Sequence, residues 1–256
     1  MKIIVITLFP QMVWGFLQES ILKRAQRKGA VEIEVVNLRD FALNAYGTVD
    51  DRPYGGGAGM VMRVDVLTQA IVNVKTQSAS RRTKIILTSA KGKTFTQAKA
   101  QDLAKLDHLI IIAGHYEGVD ARVMKYVDEE ISIGDFVLTG GEIPAAFIID
   151  SIVRLLPGVL KKAEATQEES FYKVSVDELI SVVGKTEVLS KLHKHSIKVV
   201  QLLEYPHFTR PEEFEGIKVP KELLSGDHEK IRTYRLKKAY EETVQKRPDL
   251  LDIIRE

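Results

Sequence analysis

"LIIIAGHYEGVD", residues 109–120, is an unbroken apolar run that ends at Gly114 and meets His115, Tyr116, Glu117, Gly118 and Asp120 at once. A strand with one wet face alternates apolar and polar residues. A short run without alternation, rich in β-branched side chains, reads as a strand buried on both faces, as in parallel sheets. "IIVITLF" (3–9) and "IILTSA" (85–90) share this character, whereas "VEIEVV" (31–36) alternates as a strand nearer an edge would. Between them lie amphipathic stretches. "PQMVWGFLQESILKRAQRKG" predicts a helix with Pro10 at its start, Val13, Leu17 and Ile21 on one stripe and Gly29 as its stop. "RVDVLTQAIVNVKTQ" and "FTQAKAQDLAKL" predict two more. Strands alternating with helices argue an open α/β sheet. Trp14 reads as a core aromatic rather than a binding platform.

Composition bounds the function classes. With 256 residues, 45% of them hydrophobic, the chain can build a real core: one large domain, or a medium one plus a small one. A formal charge of +2 leaves nucleic-acid binding to local basic patches. The absence of cysteine excludes disulfides, thiolate metal sites and a cysteine nucleophile, and suits a reducing cytoplasm. The apolar run in "MKIIVITLFP" stops at Pro10, too short for a signal segment or a membrane span. The expectation is a soluble, cytoplasmic protein with no membrane partner.

"EIPAAFIIDSIVRLL" (142–156) is apolar nearly all round, so more than one face should be buried, by the interior or by a second subunit. Its charges, Asp150 and Arg154, are spaced to pair along the helix. From residue 157 the chain turns polar and glycine-broken, with one capped helix start, Ser175 with Glu178 three residues on. Residues 161–203 therefore read as a linker, between a domain over 1–160 and a small all-helical domain over 204–256. In the latter, Asp227 can cap a helix on which His228, Arg232, Arg235 and Lys238 share one face; a solvated surface is the commoner fate of such stripes.

Three glycine clusters remain: "DDRPYGGGAGM" (50–60), "GHYEGVD" (114–120) and "IGDFVLTGGEIP" (133–144). Ligands of open α/β sheets bind at the carboxyl ends of strands, where glycines let the backbone approach. None of the clusters is a dinucleotide fingerprint or a Walker A loop. Each alone is an ordinary tight turn. Three together, with Glu117 and Glu142 alongside, point to an adenosine-like ligand held by backbone groups.

"TVDDRPYGGGAGM", "GHYEGVD", "SIGDFVLTGGEIPA", "LPGVL", "YPHFTRP" and "VPKELLSGDHEKIRTYRLK" together resemble the bacterial tRNA (guanine-N1) methyltransferases, over residues 1–171 and 202–256. These methylate the guanosine 3′ of the anticodon and belong to the trefoil-knotted (SPOUT) methyltransferases, rare exceptions to the avoidance of threaded loops. The resemblance implies a deep trefoil knot around S-adenosylmethionine. Its contacts would be Leu87, Thr88, Ser89, Gly114, Tyr116, Glu117, Ile133, Gly134, Asp135, Phe136, Val137 and Leu138, with Gly140 and Gly141 closing the loop. It also implies a homodimer with shared active sites, and tRNA rather than DNA as partner. Asp50, Arg52, Tyr54, Glu204, His207 and Arg210 would read the splayed base, and Arg232 and Arg235 would grip stem phosphates.

Guanine N1 carries a proton and is a poor nucleophile until it goes. The chemistry needs a general base at N1 and a donor at O6. In the family these are an aspartate in the linker motif and an arginine on the preceding helix; Arg154 matches the arginine, while "TQEESF" puts Glu169 where the aspartate is expected, with Glu168 a stand-in. Their reference pKa values are similar, ~4.3 against ~3.9. The family also implies a carboxylate-bound Mg²⁺, for which Glu117 is the local candidate, although spacing shows no metal site. A second departure is larger: Tyr172 to Gln201 intervene where family members run almost directly to "LLEYPHFTRP". His193 and His195 within it read as exposed, not as metal ligands. Two rivals follow: a knotted methyltransferase acting on a ribose 2′-hydroxyl, against which the C-terminal motifs argue, and a tRNA-binding protein that has lost catalysis.

Overall fold

A computed structural model describes residues 1–76, 80, 82–161 and 168–251. The chain divides into two compact units, Met1–Lys161 and Lys162–Glu256. In the first, β1 (Lys2–Thr7) leads through α1 (Pro10–Leu17) and α2 (Ser20–Arg27) to β2 (Glu32–Asn37). The short pair β3 (Asp50–Asp51) and β4 (Val61–Met62) precedes α3 (Val64–Thr76). Then come β5 (Thr83–Thr94), α4 (Gln97–Leu103), β6 (His108–Ala113), β7 (Glu129–Ser132) and α5 (Glu142–Val153). Five strands form one sheet in the order β2-β1-β6-β5-β7, every pairing parallel. The expected α/β fold around a parallel sheet is what the chain adopts.

The unbroken apolar runs have a direct cause. Ile3, Val5, Leu109 and Ile111 face a layer built from α1, α2, α4 and α5, while Ile4, Ile6, Ile110 and Ile112 face a layer built on α3. Successive side chains point to opposite faces, so a strand covered on both sides needs an apolar residue at every position. Each such burial contributes roughly 1.5–3 kcal/mol. The alternating β2 lies at an edge of the sheet, as its pattern predicts.

Several expectations need correction. The stretch from Pro10 to Lys28 is two helices, not one: Ser20 takes a φ of +48° and the chain restarts there. The break shifts the buried stripe from Val13 and Leu17 to Leu22 and Ala25, a phase that one continuous helix cannot hold. Trp14 is 44% exposed, not in the core. The edge strand β7, "EEIS", escapes sequence reading because it opens on two acids; Glu129 is neutralised by Lys84 and Lys99 at 2.8 and 2.7 Å. Gln77, with which the second predicted helix ends, lies outside the described residues.

The second unit differs most. Where the linker is expected, β8 (Tyr172–Ser175), α6 (Val176–Val183), α7 (Glu187–Lys194) and β9 (Val199–Leu202) follow one another, with β8 antiparallel to β9. Beyond them lie a hairpin of β10 (Glu213–Phe214) and β11 (Ile217–Lys218), then α8 (Lys221–Leu224) and α9 (His228–Lys246). Val174, Val176, Leu179, Leu189, Leu192 and Val200 share one core with Leu236, Ala239 and Tyr240 of α9. The polar look of the stretch hid two short amphipathic helices, each with a capping side chain: Ser175 accepts from the Glu178 N–H and Thr186 from the Leu189 N–H. With the β10–β11 pair inside them, residues 204–256 are not all-helical. Residues 162–167 of the expected linker, and 252–256 of the expected last domain, lie outside the described residues.

Candidate active site

In the first unit a cavity opens at the carboxyl ends of three adjacent strands, where an open α/β sheet binds ligands. Leu87, Thr88 and Ser89 enter it from β5, Gly114, Tyr116 and Glu117 from the turn after β6, and Ile133, Gly134, Phe136, Val137, Leu138, Gly140 and Gly141 from the segment between β7 and α5. Asp135, in the same segment, is exposed and does not line the cavity. His115, Thr139 and Pro144 line it as well, and sequence reading did not single them out.

Backbone packing explains the glycines. The Gly141 N–H donates to the Gly114 carbonyl at 2.6 Å, and Gly140 bridges to His115. A Cβ on Gly141 would sit 2.1 Å from Thr88 Oγ1 and 2.6 Å from the Gly114 nitrogen. The segment 140–141 thus lies against both neighbouring strands with no room for a side chain. Just below, Glu142 is buried and accepts from Thr7 Oγ1 at 2.8 Å, while its other oxygen lies 3.5 Å from His115 Nδ1. The His115 ring packs on Phe9 at 4.8 Å. The position of His115 inside "GHYEG", between two glycines of a strand-end turn, was the available signal.

Asp120 closes the turn after β6, its carboxylate accepting from the Arg122 N–H at 2.9 Å and pairing with the guanidinium at 2.7 Å. The Arg122 contacts hold its carboxyl down at about 2. Because that value lies below the ordinary one of 3.8, the stabilisation is complete above pH 3.8 and is lost as pH falls through about 2. Asp120→Ala is expected to cost about 1 kcal/mol at pH 7, as the loss of a cap does. Denaturant titrations at decreasing pH should show that difference shrinking, and a constant difference would remove the ionised carboxylate from the account.

Arg154, half-buried, caps the C-terminus of α5, its N–H reaching the Asp150 carbonyl at 3.3 Å. Asp50 lies on β3, with Arg52 and the fully exposed Tyr54 on the loop beyond. Glu117 is exposed, its N–H donating to the Met60 carbonyl of the glycine-rich loop. Among the described residues no group of three or more His, Asp or Glu side chains converges.

In the second unit Glu169 is half-buried, and its carbonyl accepts from the Tyr172 N–H at 3.1 Å. Burial pushes the Tyr172 phenol above its usual range, with Glu168 and Glu178 adding to the effect. Glu204 and His207 are 3.2 Å apart, and His207, Arg210 and Arg235 line a second cavity with Tyr205 and Phe208. Of the α9 stripe, Arg232 pairs with Glu178, Lys238 with Glu241 at 2.6 Å, and Arg235 lies over the Tyr205 ring at 4.7 Å. Half of the stripe is therefore occupied by carboxylates.

The family described as tRNA (guanine-1)-methyltransferase TrmD matches residues 1–253. The chain belongs to that family. A relative from Pelotomaculum thermopropionicum, named tRNA (guanine-N(1)-)-methyltransferase, is 46% identical over 98% of this chain and 90% of its own length. One of the same name from Bacillus subtilis is 47% identical over 98% of this chain and 92% of its own.

Proposed function

We propose that this chain transfers the methyl group of S-adenosylmethionine to N1 of the guanosine 3′ of the anticodon of tRNA. The observation that carries the reading is the glycine cradle at the carboxyl ends of β5, β6 and β7. Residues of three chain segments line it, and it admits no Cβ at Gly141, which suits an adenosine approached closely by backbone. Bound there, S-adenosylmethionine supplies a methyl carbon whose bond to sulfur breaks to leave a neutral thioether.

The other roles belong to the chain. Glu169 removes the N1 proton, freeing the lone pair that forms the new bond. Arg154 places positive charge at O6, where negative charge gathers as the proton leaves. Asp50, Arg52, Tyr54, Glu204, His207 and Arg210 hold the flipped base, and Arg232 and Arg235 the stem. A lone carboxylate, Glu117, does not make a Mg²⁺ site by itself. We infer further that the segment 133–141, whose Gly141 packs against Thr88 and Gly114, is the threaded part of a trefoil knot. We assign cofactor binding to the first unit and the grip on the tRNA stem to the second. Met12 and Phe16 of α1 and Ile143 and Phe147 of α5 are exposed apolar residues on two helices that pack together; such a face supports a homodimer. Among the described residues no helix is long and apolar enough to cross a membrane, and we place the enzyme in the cytoplasm with its substrate. The reading as a tRNA-binding protein without catalysis gains no observation in its favour.

The test is transfer of labelled methyl from S-adenosylmethionine to a tRNA transcript with guanosine 3′ of the anticodon, beside one with adenosine there. Label in the guanosine transcript alone is expected; label in both, or in neither, would overturn the reading. Arg154→Ala is expected to slow transfer by roughly 10²–10³-fold, the usual cost of one oxyanion donor, in single-turnover assays.

A further inference from the structure

The stretch from Tyr172 to Gln201, which the sequence sets apart as an insertion, enters and leaves the fold at one place: Tyr172 and Leu202 are paired neighbours at the base of the β8–β9 ladder. What lies at that base is the segment Glu169-Ser170-Phe171. The Phe171 N–H donates to the Leu202 carbonyl at 2.6 Å, and its own carbonyl accepts from Gln201 Nε2 at 3.1 Å. The Glu204 N–H donates to Ser170 Oγ at 3.2 Å. Phe171 itself has a φ of +75°, and the Arg247 guanidinium lies 5.8 Å from its ring centre. A side-chain-bearing residue adopts that backbone rarely and keeps it only where its surroundings over-determine it.

The clamp is in turn anchored. The Leu203 N–H donates to Thr243 Oγ1 at 2.8 Å, and Thr186 at the start of α7 meets the Tyr240 hydroxyl at 2.7 Å. Both partners are buried on α9. The inserted strands and helices are thus one body with α9, and the segment bearing Glu169 is fastened to that body's edge.

We propose that the inserted β8–α6–α7–β9 module is a positioning element for Glu169, with Gln201 as its positioning residue. It holds residues 169–171 in place before RNA arrives, so that the longer glutamate side chain is presented from a fixed backbone. This rests on Glu169 being the base.

Two variants of the full chain test it. In one, Asn-Gly replaces residues 173–201, a two-residue turn that suits the paired ends Tyr172 and Leu202. The other, Gln201→Leu, keeps the module and loosens only its grip on Phe171. The readouts are amide hydrogen exchange at Phe171 and Tyr172 without RNA, and kcat and KM for tRNA. Exchange at both amides should rise about tenfold in Gln201→Leu. With saturating tRNA, kcat should fall by roughly 10–100-fold, since a misplacement near 1 Å costs about that much, with the position of the pH–rate limb unchanged. A merely structural role would lower Tm and leave both readouts alone, and that result in Gln201→Leu overturns the proposal even if the deletion variant fails to fold. Full kcat in Glu169→Gln would remove the base reading and this proposal with it. Full kcat in Gln201→Leu beside an inactive Glu169→Gln would remove this proposal alone.

Discussion

Glu169→Gln is expected to lower kcat by roughly 10²–10⁴-fold, the range that a general base contributes, while the Kd values for S-adenosylmethionine and for tRNA stay within about threefold. Glutamine keeps the shape and the hydrogen-bonding reach of glutamate but takes no proton from N1. Among the described residues, the strand-end cavity proposed for the cofactor is lined by the first unit, and Glu169 belongs to the second, so cofactor binding has no reason to change. Rapid-quench single-turnover transfer, with both ligands above their Kd, isolates the chemical step. A variant that transfers within a few fold of the parent would leave N1 deprotonation without its residue. Glu168→Gln, one position earlier, is expected to stay within about threefold; a large loss there instead would move the base to the neighbouring carboxylate.

Gly141→Ala should be the most damaging single methyl in the cavity proposed for the cofactor. The added carbon would lie 2.1 Å from Thr88 Oγ1, 2.6 Å from the Gly114 nitrogen and 2.9 Å from the Ala113 Cα. Two of these three atoms are backbone of a central strand's end and cannot turn aside. Overpacking of this kind costs about 1–3 kcal/mol, and each 1.4 kcal/mol is about tenfold in affinity. S-adenosylmethionine binding, followed by titration calorimetry, should therefore weaken by roughly 10–100-fold, with a lower Tm. Gly140→Ala makes a useful contrast, because its clashes are with the His115 and Glu142 side chains at 2.3 and 2.4 Å. It should disturb the buried Thr7–Glu142 hydrogen bond more than the path of the backbone. Gly55→Ala meets nothing within 4 Å but stands at a φ of +85°; it should cost stability, not cofactor affinity. Equal binding by Gly141→Ala and the parent would mean that the cradle is not where the cofactor sits.

Legibility followed burial. Ile3–Ile6 and Leu109–Ile112 are covered on both faces, so every residue carries the signal and strand and sheet type could be read directly. The cavity wall was legible for a related reason: Gly114 and Gly141 pack against backbone and leave little room for a side chain, and each stands inside a glycine cluster. The misses occur where tertiary partners decide. Glu129 makes β7 look polar until Lys84 and Lys99 are seen beside it. The break at Ser20 depends on a shift of the buried stripe from Leu17 to Leu22 that no local pattern announces. The module after Tyr172 is polar because its helices are short and cover only one side of α9, so few of its residues are buried. Likewise, Arg232 reads as a free cation until Glu178 of that module is placed against it.

The central claim is a methyl group on N1 of one guanosine, put there with Glu169 as base. N1 lies on the Watson–Crick edge, so its methylation blocks pairing and halts a copying polymerase. Primer extension across a tRNA transcript treated with the enzyme and S-adenosylmethionine should show a new stop at the guanosine 3′ of the anticodon, absent after treatment with Glu169→Gln. A stop elsewhere, incorporation of label without any stop, or an equal stop with Glu169→Gln would contradict the account.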